Sequence, residues 1–160
     1  MSLSSHQNTV GKSNNWFTPP YIFEKLGKFD LDPCTSKVRP WDIAENNLTS
    51  DGLAARWWGR VWMNPPFDRY EVGKWMAKMA DHNNGIMLVA ARTETRSFYD
   101  YVWGRCSGVL FIKGRPHFYD GEGVPAKLNS GAPICLVAYA DYNLHMLLKS
   151  NLGTVVKEVR

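Results

Sequence analysis

The stretch Asn64-Pro65-Pro66-Phe67 combines residue types that can bind a flat aromatic amine. Proline has no backbone N–H and fixes φ, so this stretch cannot lie inside a helix or a central strand. Because Pro66 cannot donate, the Pro65 carbonyl is left free beside the Asn64 amide. Two adjacent acceptors match the two hydrogens of an exocyclic NH2 group, and the Phe67 ring offers a face for stacking. Such acceptors bind most strongly when positive charge develops on the nitrogen.

The same residues also have a purely structural interpretation. The prolines can simply end the apolar strand 60–63, and Phe67 can pack in the core. However, ligands of parallel α/β sheets bind outside the carboxyl ends of the strands. A second polar turn, Asp32-Pro33-Cys34, ends the strand predicted at 29–32. If these two strands are neighbours, both turns line one crevice, which favours the functional interpretation.

Alternating strands and helices predict the sheet that positions these turns. The predicted strands are 29–32, 60–63, 85–91, 108–112 and 133–140, with an edge segment at 154–159. Four helices are predicted. The first follows Thr18 as N-cap, with Pro19 at its first helical position, and the others are 70–82, 95–104 and 142–149. One or two helical turns are also expected after Asp51. Residues 34–50 are expected to be irregular, and 114–132 to be a long loop with a strand at 115–118. This order predicts an α/β fold with a mostly parallel sheet and helices on both faces.

Composition limits the functions that the chain can have. The 160 residues indicate one domain at 16–160, preceded by a polar arm at 1–15 that we expect to be flexible. A formal charge of +4 is compatible with a polyanionic partner. Three cysteines without C-x-x-C spacing and four scattered histidines suggest neither a disulfide framework nor a metal site. No apolar run approaches the ~20 residues of a membrane span, so we expect a soluble intracellular protein.

The motifs together resemble a known family. NPPF matches the [DNS]-P-P-[YFW] motif of amino methyltransferases that use S-adenosyl-L-methionine. With WFTPP (16–20), LDPC (31–34), DGL (51–53), WGRVWMNPPF (58–67) and FIKGR (111–115), the chain is similar to phage-type Dam DNA N6-adenine methyltransferases from about residue 16 to about 140. The resemblance implies a Rossmann-like methyltransferase fold, shortened second and third strands, S-adenosyl-L-methionine as cofactor and double-stranded DNA as partner. It also implies a phage or prophage protein in the bacterial cytoplasm, and it leaves open the target sequence and the oligomeric state, a monomer included.

The resemblance also implies roles for particular residues. A flipped adenine would be bound by Asn64, Pro65, Pro66 and Phe67. The cofactor would be held by Trp16, Thr18, Pro19, Asp32, Pro33 and Cys34, with Asp51 as the candidate carboxylate for its ribose or adenine. DNA would be contacted by Arg69, Lys113, Arg115, Phe118, Tyr119 and Lys127, and an aromatic residue of that loop could wedge into the base stack.

Several alternatives stay open from the residues alone. Asp51 can equally cap the turn that follows it, Asp32 can be a turn residue, and Trp16 can cover the sheet edge. The turn that begins at Asp32 has no glycine before Gly52, whereas most relatives have a glycine-rich turn there. The chain could therefore be a DNA-binding module with a decayed cofactor site. It could also methylate RNA or a protein glutamine, because related motifs serve those substrates.

Overall fold

The computed structural model describes residues 15–157, which form a seven-stranded sheet and four α-helices. The strands are β1 (Phe29–Asp32), β2 (Ala44–Asn47), β3 (Val61–Met63), β4 (Gly85–Ala90), β5 (Gly108–Ile112), β6 (Ile134–Tyr139) and β7 (Gly153–Lys157). The helices are α1 (Pro20–Phe23), which a 3-10 turn (Glu24–Leu26) extends, α2 (Val72–His82), α3 (Arg96–Tyr101) and α4 (Asp141–Ser150). Except for Asn15, the arm predicted at 1–15 lies outside the described residues.

The sheet has the strand order β2-β1-β3-β4-β6-β5-β7. The first four strands pair in parallel, whereas β6 is antiparallel to both β4 and β5, and β7 is antiparallel to β5. Strands β1 to β5 therefore share one direction, and β6 and β7 run the opposite way. The predicted Rossmann-like α/β fold is confirmed, including the short strands before the NPPF turn: β2 has four residues and β3 has three.

Helices cover both faces of the sheet, as predicted. On one face, Met79 of α2 and Phe98 of α3 belong to a buried apolar layer. On the other face, Ile22 of α1 and Leu147 of α4 pack in a second layer that includes Trp62 of β3. Because alternate residues of a strand point to opposite faces, Asn64 leaves the sheet on the same side as Trp62. That side is where the first helix and the segment before it lie.

The prediction that Thr18 caps the first helix was wrong. Pro19 occupies the N-cap position with an extended backbone (φ −61°, ψ 141°), and the helix begins at Pro20. A residue that precedes proline is excluded from helical conformation, which moves the helix start one position along the chain. The Thr18 hydroxyl is thereby free for another partner.

Two further local predictions were also wrong. Residues 34–50, expected to be irregular, contain strand β2, which pairs in parallel with β1. The segment 115–118 forms no strand, and an isolated bridge follows it at Tyr119. By contrast, the turn expected after Asp51 is present, since its backbone carbonyl accepts from the N–H groups of Ala54 and Ala55, each at 2.9 Å.

Candidate active site

A cleft opens where β1 and β3 end. These strands are parallel neighbours, with Leu31 opposite Val61, so the turns that follow them meet at one edge of the sheet. The third wall is the segment 15–18, which precedes the first helix and is called the strap below. The predicted residues that line this cleft are Trp16, Thr18, Asp32, Cys34, Asn64, Pro65, Pro66 and Phe67.

The side-chain amide of Asn64 is fixed by the strap. Its Nδ2 donates to the backbone carbonyl of Trp16 at 3.1 Å and to Oγ1 of Thr18 at 3.3 Å. Its Oδ1 is buried and accepts no hydrogen bond from any residue that the structure describes. A buried acceptor without a donor costs about 1–3 kcal/mol, so this atom is suited to a ligand that brings an N–H group.

Hydrogen bonds also connect the two motif turns. The Cys34 thiol donates to the backbone carbonyl of Asn64 at 3.4 Å. The backbone N–H of Cys34 in turn donates to Oδ1 of Asp32 at 3.1 Å. The three residues therefore form one connected unit across the ends of β1 and β3.

Asp32 places a carboxyl group in this unit without a cationic partner. The residue is 6% exposed, and it forms no ion pair within residues 15–157. Burial raises the pKa of Asp32 to about 7, although the Cys34 N–H and the positive charge of Arg39 act in the lowering direction. A cationic ligand in the cleft would stabilise the ionised carboxylate, so the site is suited to a small positively charged molecule.

The Cys34 thiol is not arranged as a nucleophile. Burial raises its pKa well above the usual range, and the negative charge of Asp32 raises it further. The thiolate, which is the reactive form, is therefore disfavoured.

Phe67 presents its ring at the mouth of the cleft. It is 48% exposed, and its ring meets that of Phe118 edge to face at 5.9 Å between centroids. Phe118 itself is 6% exposed and belongs to the core layer under the sheet. The loop 114–132 thus supports the ring of Phe67 through Phe118, and about half of the Phe67 surface stays exposed.

The same loop is joined to the strap. Phe17 and Tyr119 form a bridge with two backbone hydrogen bonds, of 2.8 and 2.9 Å. The Tyr119 ring meets Trp41 edge to face at 5.0 Å. The aromatic side chains at 118 and 119 are therefore engaged with the protein itself, which places Phe118 under the cleft instead of on a surface that DNA can reach.

A glycine outside the predicted set shapes the turn that begins at Asp32. A Cβ on Gly52 would lie 1.8 Å from the Pro33 carbonyl oxygen and 2.9 Å from the Trp75 ring. The turn that begins at Asp32 lacks glycine, and the close backbone approach is supplied by Gly52 from another segment. Pro33 is buried against it, and Pro19 is buried at the start of the first helix, so neither proline lines the cleft.

Asp51 and the basic residues lie away from the cleft lining. Asp51 is exposed, has a φ of 54° and does not line the cleft. The basic residues Arg69, Lys113, Arg115 and Lys127 are all exposed, and none forms an ion pair with another described residue. Arg69 follows β3, and Lys113 and Arg115 follow β5, which places these three at the same edge of the sheet as the cleft.

Two tryptophans in the cleft were not predicted as site residues. Trp62 packs in the second apolar layer with no exposed surface, while it also lines the cleft. Trp41 lies in a segment without periodicity or motif, so no sequence signal indicated it. Their indole Nε1 groups are buried and have no hydrogen-bond partner in the described part of the chain. The cleft wall thus contains unused donors besides the acceptor on Asn64.

Two further kinds of feature, a metal site and a membrane span, are absent from residues 15–157. No group of three or more His, Cys, Asp or Glu side chains is close enough there to hold a metal ion. None of the helices in that range has the length and apolar character that crossing a bilayer requires.

The fold and the cleft define a class of protein. A Rossmann-like α/β sheet carries an NPPF turn and a buried carboxylate at adjacent strand ends, which is the arrangement of an amino methyltransferase. The sequence model of the family described as DNA N-6-adenine-methyltransferase (Dam) matches residues 5–151, and the chain belongs to this family. It is therefore an enzyme of DNA adenine N6-methylation, and methyltransferases of this kind use S-adenosyl-L-methionine in general. Neither curated proteins nor solved structures gave a significant match.

Proposed function

We propose that this chain binds an adenine base, extruded from double-stranded DNA, in the cleft at Asn64 and methylates its N6 amine. The observation that carries the proposal is Asn64 Oδ1, a buried acceptor that no described residue uses. A base stacked in a duplex cannot reach an atom inside a cleft, so the base must leave the stack. The base would enter beside Phe67, whose half-exposed ring offers a stacking surface.

The cleft residues also fit the cofactor that the family implies. S-adenosyl-L-methionine supplies, when bound, an electrophilic methyl group and carries positive charge. Asp32 is a buried carboxyl without a cationic partner among the described residues, and its pKa of about 7 would fall when such a charge binds nearby. Trp16 and Cys34 line the cleft on either side of it. Asp32 and Trp16 are our candidates for contact with this molecule.

The residues of the NPPF turn would promote the reaction by binding the amine as it gains charge. The lone pair of an aromatic amine is delocalised into the ring, so the amine is a poor nucleophile. Oδ1 of Asn64 and the carbonyl of Pro65 would each accept one N6 hydrogen and favour the pyramidal amine. Their interaction strengthens as positive charge develops on nitrogen, which is the condition for catalysis rather than simple binding. After transfer, the amine is acidic enough to lose its proton to these acceptors or to water.

The proposal is tested by transfer of a labelled methyl group from S-adenosyl-L-methionine to DNA, with the modified nucleoside identified by mass spectrometry. We expect N6-methyl-2′-deoxyadenosine as the product. Label found instead in RNA or in a protein glutamine would reassign the substrate. Absence of binding of either S-adenosyl-L-methionine or its demethylated product, with and without DNA, would indicate a DNA-binding module without activity.

Asn64→Ala makes the test specific to the proposed site. Removing one preorganised transition-state hydrogen bond lowers kcat by about 10²–10³, and cofactor affinity should change little. Asn46→Ala is the matched control, because Asn46 is an exposed asparagine on neighbouring β2 that donates to the Asp30 carbonyl outside the cleft lining. Equal rates for both variants would remove Asn64 from the mechanism.

A further inference from the structure

The strap satisfies both hydrogens of the Asn64 amide. An asparagine NH2 group has two donors, and here one acceptor is the Trp16 carbonyl and the other is Oγ1 of Thr18. These contacts bridge 48 and 46 positions of the chain. They therefore depend on the strap being docked over the end of β3.

The chemistry of these acceptors determines which way the amide faces. A backbone carbonyl can only accept, so it must meet the NH2 group and cannot meet the oxygen. The oxygen of Asn64 is consequently turned away from the strap, where no described residue donates to it. Rotation of the amide by half a turn would place Oδ1 against the Trp16 carbonyl and would leave two buried acceptors in repulsion.

We propose that Thr18 is a positioning residue, which fixes the Asn64 amide with its oxygen toward the substrate amine and does not itself bind the cofactor. Thr18 has 0% exposed surface, so little of its side chain remains for contact with a ligand. Its hydroxyl already accepts from Nδ2 of Asn64. This inference rests on the function proposed above for Asn64.

The same geometry makes position 64 selective for asparagine. The amino methyltransferase motif allows aspartate at this position, but aspartate would present an oxygen where the Trp16 carbonyl now lies 3.1 Å from Nδ2. Two acceptors at that separation repel each other, and the Trp16 carbonyl would lose its donor. The acceptors of the strap and the NH2 group of Asn64 are thus complementary.

Thr18→Val and Thr18→Ser separate positioning from cofactor binding. Valine keeps the shape of threonine and removes the hydroxyl. We therefore expect kcat to fall about 10-fold, which is the order of magnitude of the activity loss when a group that orients a functional ligand is removed. The dissociation constant of S-adenosyl-L-methionine and KM for DNA should stay within about twofold of wild type. Serine restores the hydroxyl and should restore kcat. A Thr18→Val enzyme with wild-type kcat, or one that loses cofactor affinity instead, would overturn the proposal.

Two measurements do not depend on the activity of a Thr18 variant. In wild type, both Asn64 side-chain NH2 protons should exchange slowly with solvent by NMR, and fast exchange would contradict the strap contacts. Asn64→Asp should abolish methyl transfer and lower the melting temperature, and a folded Asn64→Asp enzyme with a third or more of wild-type kcat would also overturn the proposal. If wild type itself transfers no methyl group, the proposed function fails, whereas slow amide exchange would still support the positioning contact.

Discussion

The Cys34 thiol donates a hydrogen bond to the backbone carbonyl of Asn64 at 3.4 Å. This contact joins the turn after β1 to the turn after β3, and it holds the main chain of the residue that we propose as the acceptor for the substrate amine. The carboxyl group of Asp32, the thiol and the amide are thereby positioned relative to one another before any ligand binds. A site of this kind requires little rearrangement during the reaction.

Removal of the Cys34 thiol should reduce stability without removing catalysis. We expect Cys34→Ala to lower the free energy of unfolding by about 1 kcal/mol, the usual net contribution of a hydrogen bond, and to keep kcat within a few-fold of wild type. Urea denaturation and methyl-transfer rates measure the two effects. Cys34→Ser, which keeps a donor, is the control. Loss of all activity in both variants would assign the thiol a chemical role.

Stability should depend on pH through Asp32. The usual carboxyl pKa is 3.8, and burial raises it to about 7 in the folded protein. Between these values the folded state retains a proton that the unfolded state has released, so this group's contribution to stability falls as pH rises from about 4 to about 7. Comparing urea midpoints of wild type and Asp32→Asn across this range isolates the effect from that of Arg39, Asp42 and other groups. Parallel curves for the two proteins would contradict it.

The affinity for S-adenosyl-L-methionine should rise with pH over the range in which the contribution of Asp32 to stability falls. If Asp32 binds a cationic group of S-adenosyl-L-methionine, the ionised carboxylate is the binding form. The affinity should therefore rise as pH increases through about 7 and should level off above it. Calorimetry at several pH values, in buffers of different ionisation enthalpy, would measure proton release on binding. An affinity independent of pH would exclude Asp32 as a contact for that charge.

Gly52→Ala should distort the turn that begins at Asp32. The added methyl group would lie 1.8 Å from the Pro33 carbonyl oxygen, so the backbone of the turn must move. We expect a loss of about 1–3 kcal/mol in unfolding free energy, as for other overpacked positions, together with weaker cofactor binding. Gly73→Ala is the control, because its methyl group would meet only the rotatable Ser97 side chain within 4 Å. Equal behaviour of the two variants would show that the turn has room to adjust.

Phe67→Ala should weaken binding of DNA that contains a target adenine. Stacking on an aromatic ring contributes about 1–3 kcal/mol per base. The dissociation constant for DNA should therefore increase by a factor between about 5 and about 100. Tyr99→Ala removes a comparably exposed ring from α3, outside the cleft lining. Fluorescence of 2-aminopurine at the target position would report whether the base still leaves the stack. Unchanged affinity and fluorescence for Phe67→Ala would argue against stacking on this ring.

DNA binding should depend steeply on salt if the exposed basic residues contact phosphates. Each contact contributes a slope of about −0.9 in log K against log salt concentration. Arg115→Ala and Lys127→Ala should each reduce the slope by about one unit. Lys157→Ala is the control, since Lys157 lies opposite Gly108, at the far edge of the sheet and at the amino end of β5. An affinity without salt dependence would exclude phosphate contacts.

Much of the fold and part of the site follow from local sequence patterns. The apolar run 85–91 and the helical spacing in 70–82 predicted β4 and α2 closely. The polar turns at Asp32 and Asn64 were predicted to line one crevice if their strands were neighbours, because parallel strands end at the same edge of a sheet. Those predictions needed only periodicity and the position of proline.

The contacts that orient the site could not be predicted in the same way. Asn64 meets the strap across 46 to 48 positions, and Gly52 approaches Pro33 from a separate turn. Such contacts are produced by tertiary packing, and they leave no periodic signal in the sequence. Thr18 was consequently interpreted as a helix cap from the N-cap preference of threonine, and as a cofactor ligand from the family resemblance.

The contact between the strap and Asn64 restricts which evolutionary substitutions the chain tolerates at the positions involved. Trp16 contributes its main-chain carbonyl, which almost any replacement would also supply, so this contact alone does not restrict the side chain at that position. Thr18 contributes its hydroxyl, and Asn64 contributes its amide. Inherited substitutions at 18 and 64 are therefore coupled to each other, and a change at either one is tolerated only when the other can still pair with it.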